Sequence, residues 1–258
     1  MTDDLSTDPR HELIAECDSG VALLTLNRPD KANTLTPQLA HLIAAEVRRA
    51  GADPAVRALV ITGTGKAFCG GFDLGRVDRG VDDRSVTELM AAMRGSAVPT
   101  VAALNGAAVG AGLELACSCD LRVARPGARI GLPAVRIGVA YRFDGLQSVL
   151  HAVGGRSAEL LLAGGLLTAE ECPGFARSAL DEEPVAVARE LAAQIAAASW
   201  PAVSYTVRAL RWLRGSGPIA DFDGERVAIM HGPDIAEAAR ARAEGRGPAF
   251  APRSGAGG

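Results

Sequence analysis

The chain has 258 residues, a formal net charge of −3 at pH 7 and 48% hydrophobic residues. A chain of this length can bury a large core without disulfide support, and the absence of a basic stripe argues against nucleic-acid binding. No apolar run is long enough to span a membrane, so we expect small-molecule partners, with no nucleic acid and no membrane among them.

Cysteine usage and the amino terminus both indicate a reducing compartment. The cysteines are odd in number and show no CxxC spacing, and no histidines are placed to complete a zinc site. They are Cys17, Cys69, Cys117, Cys119 and Cys172. The first twelve residues are polar and acidic, unlike a secretory signal. We therefore expect a soluble cytoplasmic protein with buried free thiols and no metal.

The first elements in chain order are a hairpin and a helix. Two apolar runs of β type, Leu13–Cys17 and Val21–Leu26, flank a short glycine turn. Further along, Thr36 can cap a helix that has Pro37 at its first position, and apolar residues then recur at helical spacing up to Gly51. We predict an amphipathic surface helix here.

Buried strands alternate with glycine loops in the next part of the chain. Ala58–Thr62 and Thr100–Leu104 are wholly apolar, which is typical of a sheet covered on both faces, and a helix is predicted from about Ala111. Two later strands, Leu121–Ala124 and Ala128–Ile130, extend the same layer. Repeated strand, loop and helix units predict an α/β fold with crossover connections.

Helical patterns dominate from about residue 145 onward. Helices are predicted at Leu146–Val153, Ser157–Ala163, Pro184–Ser199 and Pro201–Arg214. The tail after Gly245 is rich in glycine, alanine and proline, so its tip should be poorly ordered.

Three familiar catalytic or nucleotide-binding motifs are incomplete. A phosphate loop would need glycine at Val60 and serine or threonine at Ala67, and a dinucleotide fingerprint would need glycine at Leu115. No GxSxG nucleophile elbow is present. These gaps exclude the common nucleotide-binding folds and the serine hydrolases.

Two glycine loops, Phe68–Leu74 and Asn105–Ala116, remain after these exclusions. Each follows a buried strand, and the second runs into a helix N-terminus with its partial positive charge. Backbone N–H groups placed in this way can converge on a negative oxygen. The pattern predicts an oxyanion hole.

Several ordered segments resemble the motifs of the crotonase (enoyl-CoA hydratase/isomerase) superfamily. They are Thr25–Pro29, Ala67–Leu74, Pro99–Gly106 and Gly110–Asp120, and the similarity covers residues 12–250. The resemblance implies an α/β, ClpP/crotonase-like ββα-superhelix core with a C-terminal helical segment.

The same resemblance suggests how the chain is divided. A core over residues 12–195 would carry the CoA-binding and oxyanion-hole loops, and residues 196–250 would form a helical oligomerisation segment. Residues 1–11 and 251–258 are expected to be flexible ends. By resemblance, the assembly would be a homotrimer or a dimer of trimers.

The resemblance also assigns roles within the site. The backbone N–H groups of Phe72 and Ala111 would hold the thioester oxygen, and Glu114 matches one of two family glutamates that move protons. Because its neighbours are apolar, a solvated helix glutamate is the weaker interpretation. Other substrate-binding candidates are Arg28, Lys31 and Lys66 near the CoA phosphates, and Gly71, Asp73, Leu74, Gly110 and Arg142 near the thioester. Asp73 and Asp120 also resemble family aspartates that brace turns.

The chain departs from the hydratase pattern at one catalytic position. Hydratases of the family carry a second glutamate in a Pro-Glu pair, whereas this chain has Pro133-Ala134. Alanine transfers no proton, and the usual hydration mechanism uses both carboxylates on one water. Standard hydration is therefore disfavoured.

Residues near position 141 leave several interpretations open. The segment ending at Tyr141 resembles part of the methylmalonyl-CoA decarboxylase branch, although that branch has histidine at the position of Phe72. Tyr141 is a catalytic candidate or a packed aromatic residue. Arg142 either binds a substrate carboxylate or forms a salt bridge, for which Asp144 is a candidate partner.

Three functions compete on this evidence. The leading hypothesis is a lyase or isomerase that forms an enolate from an acyl-CoA thioester, with CoA as part of the substrate and no separate cofactor. Decarboxylation of a malonyl-type CoA is the alternative chemistry. A non-catalytic acyl-CoA-binding or regulatory protein is the alternative of another class, and the kept Glu114 argues against it, because burying an unused carboxylate is costly.

Overall fold

The computed structural model describes residues 11–73, 83–215 and 222–253. A hairpin and a helix begin it: β1 (Leu13–Asp18), β2 (Val21–Leu26) and α1 (Pro37–Ala52). Three strand–strand–helix units follow. They are β3 (Ala58–Gly63), β4 (Ala67–Cys69) and α2 (Arg84–Arg94); β5 (Thr100–Leu104), β6 (Ala107–Val109) and α3 (Ala111–Ser118); β7 (Leu121–Ala124), β8 (Arg129–Gly131) and α4 (Phe143–Val153).

The rest of the described chain is mainly helical. Its elements are α5 (Ser157–Ala163), β9 (Leu166–Thr168), β10 (Arg177–Ser178), α6 (Pro184–Ala197), α7 (Trp200–Leu213), α8 (Phe222–Met230) and α9 (Pro233–Glu244). The predicted helical character of this half is confirmed, while the boundary proposed between residues 195 and 196 stays a prediction.

The strands form two sheets within the described residues. The larger has the order β1-β2-β3-β5-β7-β10 and the smaller the order β4-β6-β8-β9. In each strand–strand–helix unit, the first strand joins the larger sheet and the second joins the smaller one. β1 and β2 pair antiparallel as a hairpin, whereas β2, β3, β5 and β7 run parallel. The crossovers between parallel strands confirm the predicted α/β class.

The burial of the central strand β3 explains why all its residues but Thr62 are apolar. All six of its residues are buried. Val60 and Ala58 face the core shared with α6, and Leu59 and Ile61 face the main core shared with α1, α2 and α3. A strand covered on both faces has no solvent side on which polar residues would alternate.

The first helix follows its capping signal. The Thr36 hydroxyl oxygen accepts a hydrogen bond from the Leu39 amide at 3.1 Å, and Pro37 occupies the first position, where no N–H is needed. Its buried face includes Leu39, Ile43 and Val47. The helix ends at Ala52, one residue beyond the predicted end.

Helix α7 is anchored to the core by a buried ion pair. Arg211 donates from Nε and Nη2 to the two carboxylate oxygens of Asp120, at 2.8 and 2.6 Å. Asp120 also accepts from the amide and hydroxyl of Thr100, at 2.8 and 3.0 Å. Arg211 Nη1 donates to the carbonyl of Ser96, and Nη2 also donates to that of Val98. The interpretation of Asp120 as a structural brace is confirmed.

One expectation about the chain ends needs correction. A flexible end was expected from residue 251, but Arg253 is buried, with its guanidinium stacked over Trp200 at 4.7 Å. It donates to the carbonyls of Asp53 and Val56 at 3.1 and 3.0 Å, and to that of Gly51. Carbonyls at the end of α1 and just beyond it thus gain a cationic partner. Residues 1–10 and 254–258 lie outside the described residues.

Four short strands were missed, and several boundaries differ from prediction. β4 and β6 lie within the stretches that were predicted as glycine loops. β9 and β10 lie in the stretch that was predicted helical, and α4 begins three residues before the predicted start at Leu146. A strand of two or three residues is too short to show a period. Its position depends on distant partners: β9 pairs with β8, and β10 with β7.

The free cysteines are only partly as expected. Cys17 is exposed, contrary to the expectation of buried thiols, whereas the other four are buried. Burial raises the pKa of Cys69, Cys117 and Cys119 to about 12, so these thiols stay protonated at neutral pH. Among the described residues, no three His, Cys, Asp or Glu side chains are grouped to hold a metal ion. In the same residues, no helix has the length and apolarity that crossing a membrane requires.

Candidate active site

Three loops meet at one edge of the smaller sheet. β4, β6 and β8 are parallel neighbours, so the loops that follow them leave from the same edge. Phe72 lies after β4, Ala111 after β6 and Ala134 after β8, and all three line one pocket. The rest of its wall is largely apolar, with Val86 and Val139 among the lining residues. The sheet topology thus creates the site.

The two predicted oxyanion amides are free to bind a ligand. Leu35 forms an isolated β-bridge with the chain around Phe72: it donates to the carbonyl of Gly71 at 2.7 Å and accepts from the amide of Asp73 at 2.9 Å. The N–H of Phe72 takes no part in this bridge. Ala111 is the first residue of α3, where helix N–H groups lack internal partners. Within the described residues neither amide donates a hydrogen bond.

Glycines allow the two loops to approach each other. Gly71 has a φ of 106°, and a Cβ on it would lie 2.9 Å from the carbonyl oxygen of Val109 and 3.5 Å from the amide nitrogen of Ala111. A Cβ on Gly112 would lie 2.1 Å from the carbonyl oxygen of Cys69. Gly110 takes the positive φ before α3, so alanine at 111 is accommodated in helical geometry, as expected.

Glu114 is completely buried and lies behind the pocket wall. Its Oε2 accepts a hydrogen bond from the Tyr141 hydroxyl at 2.7 Å, and its Oε1 accepts one from Arg142 Nη2 at 2.5 Å. Tyr141 and Arg142 line the pocket themselves. The structure therefore brings together the predicted pair Glu114 and Tyr141, with the tyrosine on the pocket side.

Gly145 makes room for this contact. It lies in the first turn of α4, and a Cβ there would be 2.7 Å from Tyr141 Cε1 and 2.9 Å from Glu114 Oε1. These distances are shorter than any van der Waals contact. A side chain at position 145 would separate the tyrosine from the carboxylate or displace the helix.

Arg142 is shared among three carboxylates. Besides Glu114, its Nη1 lies 3.2 Å from Asp83 and its Nε lies 3.4 Å from Asp144. Arg94 completes the cluster, with Nη2 2.6 Å from Asp144 and Nη1 3.8 Å from Glu114 Oε1. The salt bridge considered for Arg142 and Asp144 is present, but the contact with Glu114 is shorter.

Sequence reasoning missed Asp83 and Arg94. Both belong to the stretch around α2, which carries no motif, and they reach Arg142 and Asp144 only through the packing of α2 beside α3 and α4. No local signal in the sequence could have linked them to the site. Leu74, predicted to bind substrate, lies outside the described residues.

Burial and ion pairing shift the proton affinities of this cluster. Burial raises the pKa of Glu114, and the Arg142 guanidinium and the Tyr141 hydroxyl oppose the rise. Burial and the Glu114 carboxylate hold the pKa of Tyr141 well above its usual range. Although burial acts to raise the pKa of Asp144, Arg94 and Arg142 outweigh it and lower that pKa. Glu114 is thus a better proton acceptor than Asp144, and the Tyr141 hydroxyl stays protonated.

The residues predicted near the CoA phosphates lie on two adjacent loops. Asn33 joins them through a hydrogen bond from its side-chain amide to the carbonyl of Thr64 at 2.9 Å. Lys31 and Lys66 are both exposed. The Arg28 guanidinium instead contacts Glu12, the carbonyl of Thr34 and, at 3.9 Å, Asp73. Two exposed cations therefore face solvent here, while Arg28 braces the loop.

Comparison with known proteins gives concordant results. The model of the family described as enoyl-CoA hydratase/isomerase matches residues 16–211. The chain is 38% identical over 195 residues to a Mycobacterium tuberculosis protein named "Probable enoyl-CoA hydratase echA14", covering 72% of this chain and 76% of the relative. It is 35% identical to the (E)-benzylidenesuccinyl-CoA hydratase of Thauera aromatica, covering 75% and 80% of the two chains.

A solved structure agrees with these sequence matches. The crystal structure of an enoyl-CoA hydratase/carnithine racemase from Magnetospirillum magneticum superimposes with a TM-score of 0.85 at 27% identity, covering 93% of this chain and 95% of that one. The expected crotonase fold is confirmed. The matches carry no sign of the decarboxylase branch that the segment around Tyr141 resembles. The chain belongs to the crotonase superfamily, the enoyl-CoA hydratase/isomerase family of enzymes that act on acyl-CoA thioesters.

Proposed function

We propose that this enzyme moves a proton along the acyl chain of an enoyl-CoA thioester, through an enolate held by the amides of Phe72 and Ala111. The observation that carries the proposal is the 2.7 Å hydrogen bond from the pocket-lining Tyr141 to the buried Glu114. Tyr141 and Glu114 thus form one proton-transfer pair. It lies beside two backbone amides whose N–H groups donate no hydrogen bond within the described residues. Oxyanion donors of this type each contribute about 10²–10³ in rate.

The proposed proton path runs through the tyrosine. Tyr141 accepts a proton from the carbon next to the thioester carbonyl as it passes its own proton to Glu114, and the electron pair moves onto the thioester oxygen. The reverse transfer then places the proton two carbons further along the chain, so a 3-enoyl thioester becomes a 2-enoyl thioester. Because Tyr141 passes on one proton as it takes up another, free tyrosinate, which its raised pKa disfavours, is avoided.

Ala134 makes isomerisation a better match than hydration. It lines the pocket where the hydratase pattern has its second carboxylate. Hydration has to deprotonate a water and protonate a carbon, which suits two groups on one face. A double-bond shift removes and returns one proton, so the single pair Tyr141 and Glu114 suffices.

Decarboxylation of a malonyl-type thioester has less support. That reaction would need a cation to hold the substrate carboxylate, and Arg142 was the candidate. Its guanidinium already faces Glu114, Asp83 and Asp144. A substrate carboxylate would be a fourth and would compete with the three already in place.

The test is solvent deuterium exchange followed by mass spectrometry. In D₂O, we expect the enzyme to exchange the α-protons of butyryl-CoA and to convert 3-hexenoyl-CoA into 2-hexenoyl-CoA. Glu114→Gln and Tyr141→Phe should each lower both rates by about 10²–10⁴. Tyr205→Phe is the matched control, because this second tyrosine lies on α7 and packs against Phe222.

The outcomes separate the alternatives. If Tyr141→Phe stays active while Glu114→Gln is inactive, Glu114 acts directly and the relay is wrong. Water addition to crotonyl-CoA that is faster than isomerisation would establish hydration, and release of carbon dioxide from methylmalonyl-CoA would establish decarboxylation. Thioester binding without exchange would favour the non-catalytic function.

The CoA contacts and the assembly remain predictions beside this proposal. Lys31 and Lys66 are the cations best exposed for the CoA phosphates, and Gly71 and Gly110 would flank the thioester. A homotrimer or a dimer of trimers is expected from the family resemblance.

A further inference from the structure

A second cavity lies apart from the catalytic pocket, at the opposite end of α3. The pocket lies at Ala111, where the helix begins, whereas this cavity is lined by Cys117 and Ser118, where it ends. The two cavities share no lining residue. Most of its wall is polar, and it includes four arginines: Arg94, Arg122, Arg211 and Arg214.

Positive charge in this cavity exceeds the negative charge that lines it. Among the described residues, Asp120 is the only carboxylate that lines it, and that group is bound by Arg211. Arg122 donates only to main-chain carbonyls: to Phe175 at 2.7 Å, and to Cys119 at 3.0 Å and Ala116 at 3.5 Å near the end of α3. These bonds also satisfy helix-end carbonyls that would otherwise repel an anion.

Arg214 is the least satisfied of the four. Its guanidinium makes no hydrogen bond or salt bridge within the part of the chain that the structure describes. Burial lowers its pKa and the neighbouring Arg122 and Arg211 lower it further, although Asp120 opposes them. Arg94 has a buried Nη1 that also lacks a hydrogen-bond partner among the described residues. Arg211 and Arg94 are paired with Asp120 and Asp144, whereas Arg122 and Arg214 have no carboxylate partner among the described residues. Guanidinium groups crowded in this way are unfavourable unless an anion joins them.

We propose that this cavity binds a small divalent oxyanion of the phosphate or sulfate class, at a site separate from the acyl-CoA site. Arginine nitrogens recognise such oxygens through paired, charge-assisted hydrogen bonds. The cavity volume is about 50 Å³. One water needs about 10–15 Å³ by the same measure, so a group of several atoms fits, whereas a nucleotide or a whole CoA does not.

The site adjoins the catalytic cluster through Arg94. This residue lines the cavity, pairs with Asp144 at 2.6 Å, and places Nη1 3.8 Å from Glu114 Oε1. An anion in the cavity therefore shares a cation with the acid–base cluster of the active site. Binding itself depends on the arginines and stands apart from the reaction proposed above.

The test is calorimetric titration of the full chain with inorganic phosphate, against sodium chloride at equal ionic strength. Arg214→Gln should weaken phosphate binding about 10- to 100-fold, the effect of losing a hydrogen bond to a charged group. Arg214→Lys, which keeps the charge, should lose less. Arg208→Gln is the matched control, because Arg208 lies on α7, the helix that ends just before Arg214, and pairs with Glu225 outside the cavity.

Two further outcomes would overturn the proposal. Phosphate that binds the wild-type protein no better than chloride would show that the cavity selects no divalent anion. Binding that is lost in Lys66→Gln but kept in Arg214→Gln would place the ion near the predicted CoA phosphate residues instead. Phosphate binding that survives Lys66→Gln and fails in Arg214→Gln would support the cavity.

Discussion

Two buried arginine–carboxylate clusters in this chain differ in how completely their charges are matched. At Asp120, two nitrogens of Arg211 meet the two carboxylate oxygens, and Thr100 supplies the remaining donors. At Glu114, one arginine is divided among three carboxylates, and a tyrosine hydroxyl serves the second oxygen. The first cluster joins α7 to the sheet, and the second lies beside the candidate active-site pocket.

The two clusters therefore serve different purposes. The matched pair of Asp120 and Arg211 holds α7 in a fixed position on the sheet. In the cluster around Glu114, burial keeps the pKa of Glu114 raised, and the charges of Arg142, Asp144 and Arg94 adjust it. Mutations should therefore affect stability at Asp120 and acid–base behaviour at Glu114.

The largest expected effect is at the matched cluster. Arg211→Met should lower the free energy of unfolding by about 3–5 kcal/mol, because it leaves Asp120 buried without its cation. Urea denaturation measures the change. Arg208→Met, which breaks an exposed pair on the same helix, should change it by less than about 1 kcal/mol. Equal losses in both variants would mean that Asp120 does not anchor α7.

Arg142→Gln should act on the pH profile instead. The guanidinium lowers the pKa of Glu114, so its removal should raise that pKa further and move the acid limb of deuterium exchange to higher pH. On that limb, the rate at fixed pH should fall by about tenfold or more, as expected for loss of a charge-assisted hydrogen bond. Arg136→Gln, at an exposed arginine that bonds a main-chain carbonyl, is the control. An unmoved limb would separate Arg142 from the proton transfer.

Asp144→Asn should produce a smaller shift of opposite sign. The Asp144 charge raises the pKa of Glu114 and also holds Arg94 and Arg142. Without that charge, both arginines are freer to stabilise ionised Glu114, so the acid limb should move to lower pH. The same exchange assay over a pH series measures it. A shift in the same direction as that of Arg142→Gln would contradict the electrostatic account.

The smallest effect concerns stability against pH. An acid whose pKa is raised by folding binds its proton more tightly in the folded state. That stability is fully present below the unfolded pKa and is lost as pH rises through the folded pKa. The wild type should thus lose stability relative to Glu114→Gln over this window, as urea denaturation at several pH values would show. Glu88→Gln, at an exposed pair with His41, should give no such divergence.

The fold was predictable where a signal is local. Thr36 and Pro37 mark the start of α1, and the largely apolar runs of β3 and β5 mark strands covered on both faces. β9 and β10 could not be predicted, because strands of two or three residues show no period of their own. They are strands only because they pair with β8 and β7. Arg253 was likewise hidden, since its partners lie almost two hundred residues earlier in the chain.

The loops of the candidate site could be predicted from the sequence, whereas most of its charged contacts could not. The glycine loops and Glu114 follow a sequence pattern, and the tyrosine beside Glu114 was a candidate. The roles of Asp83 and Arg94 depend on how α2 packs, and nothing near them in sequence indicates it. That Tyr141 stands between Glu114 and the pocket was also a consequence of packing.

Gly145 offers a practical way to recognise this chemistry in other genomes. It bears no reactive group, yet a Cβ at position 145 would lie 2.7 Å from Tyr141 Cε1 and 2.9 Å from Glu114 Oε1, so the contact as it stands leaves no room for a side chain there. A homologous chain with tyrosine at the position of Tyr141 and a larger residue at that of Gly145 should have lost the pair, whatever its name. In a homologous chain, the residue at the position of Gly145 should therefore be checked before the residue at that of Tyr141.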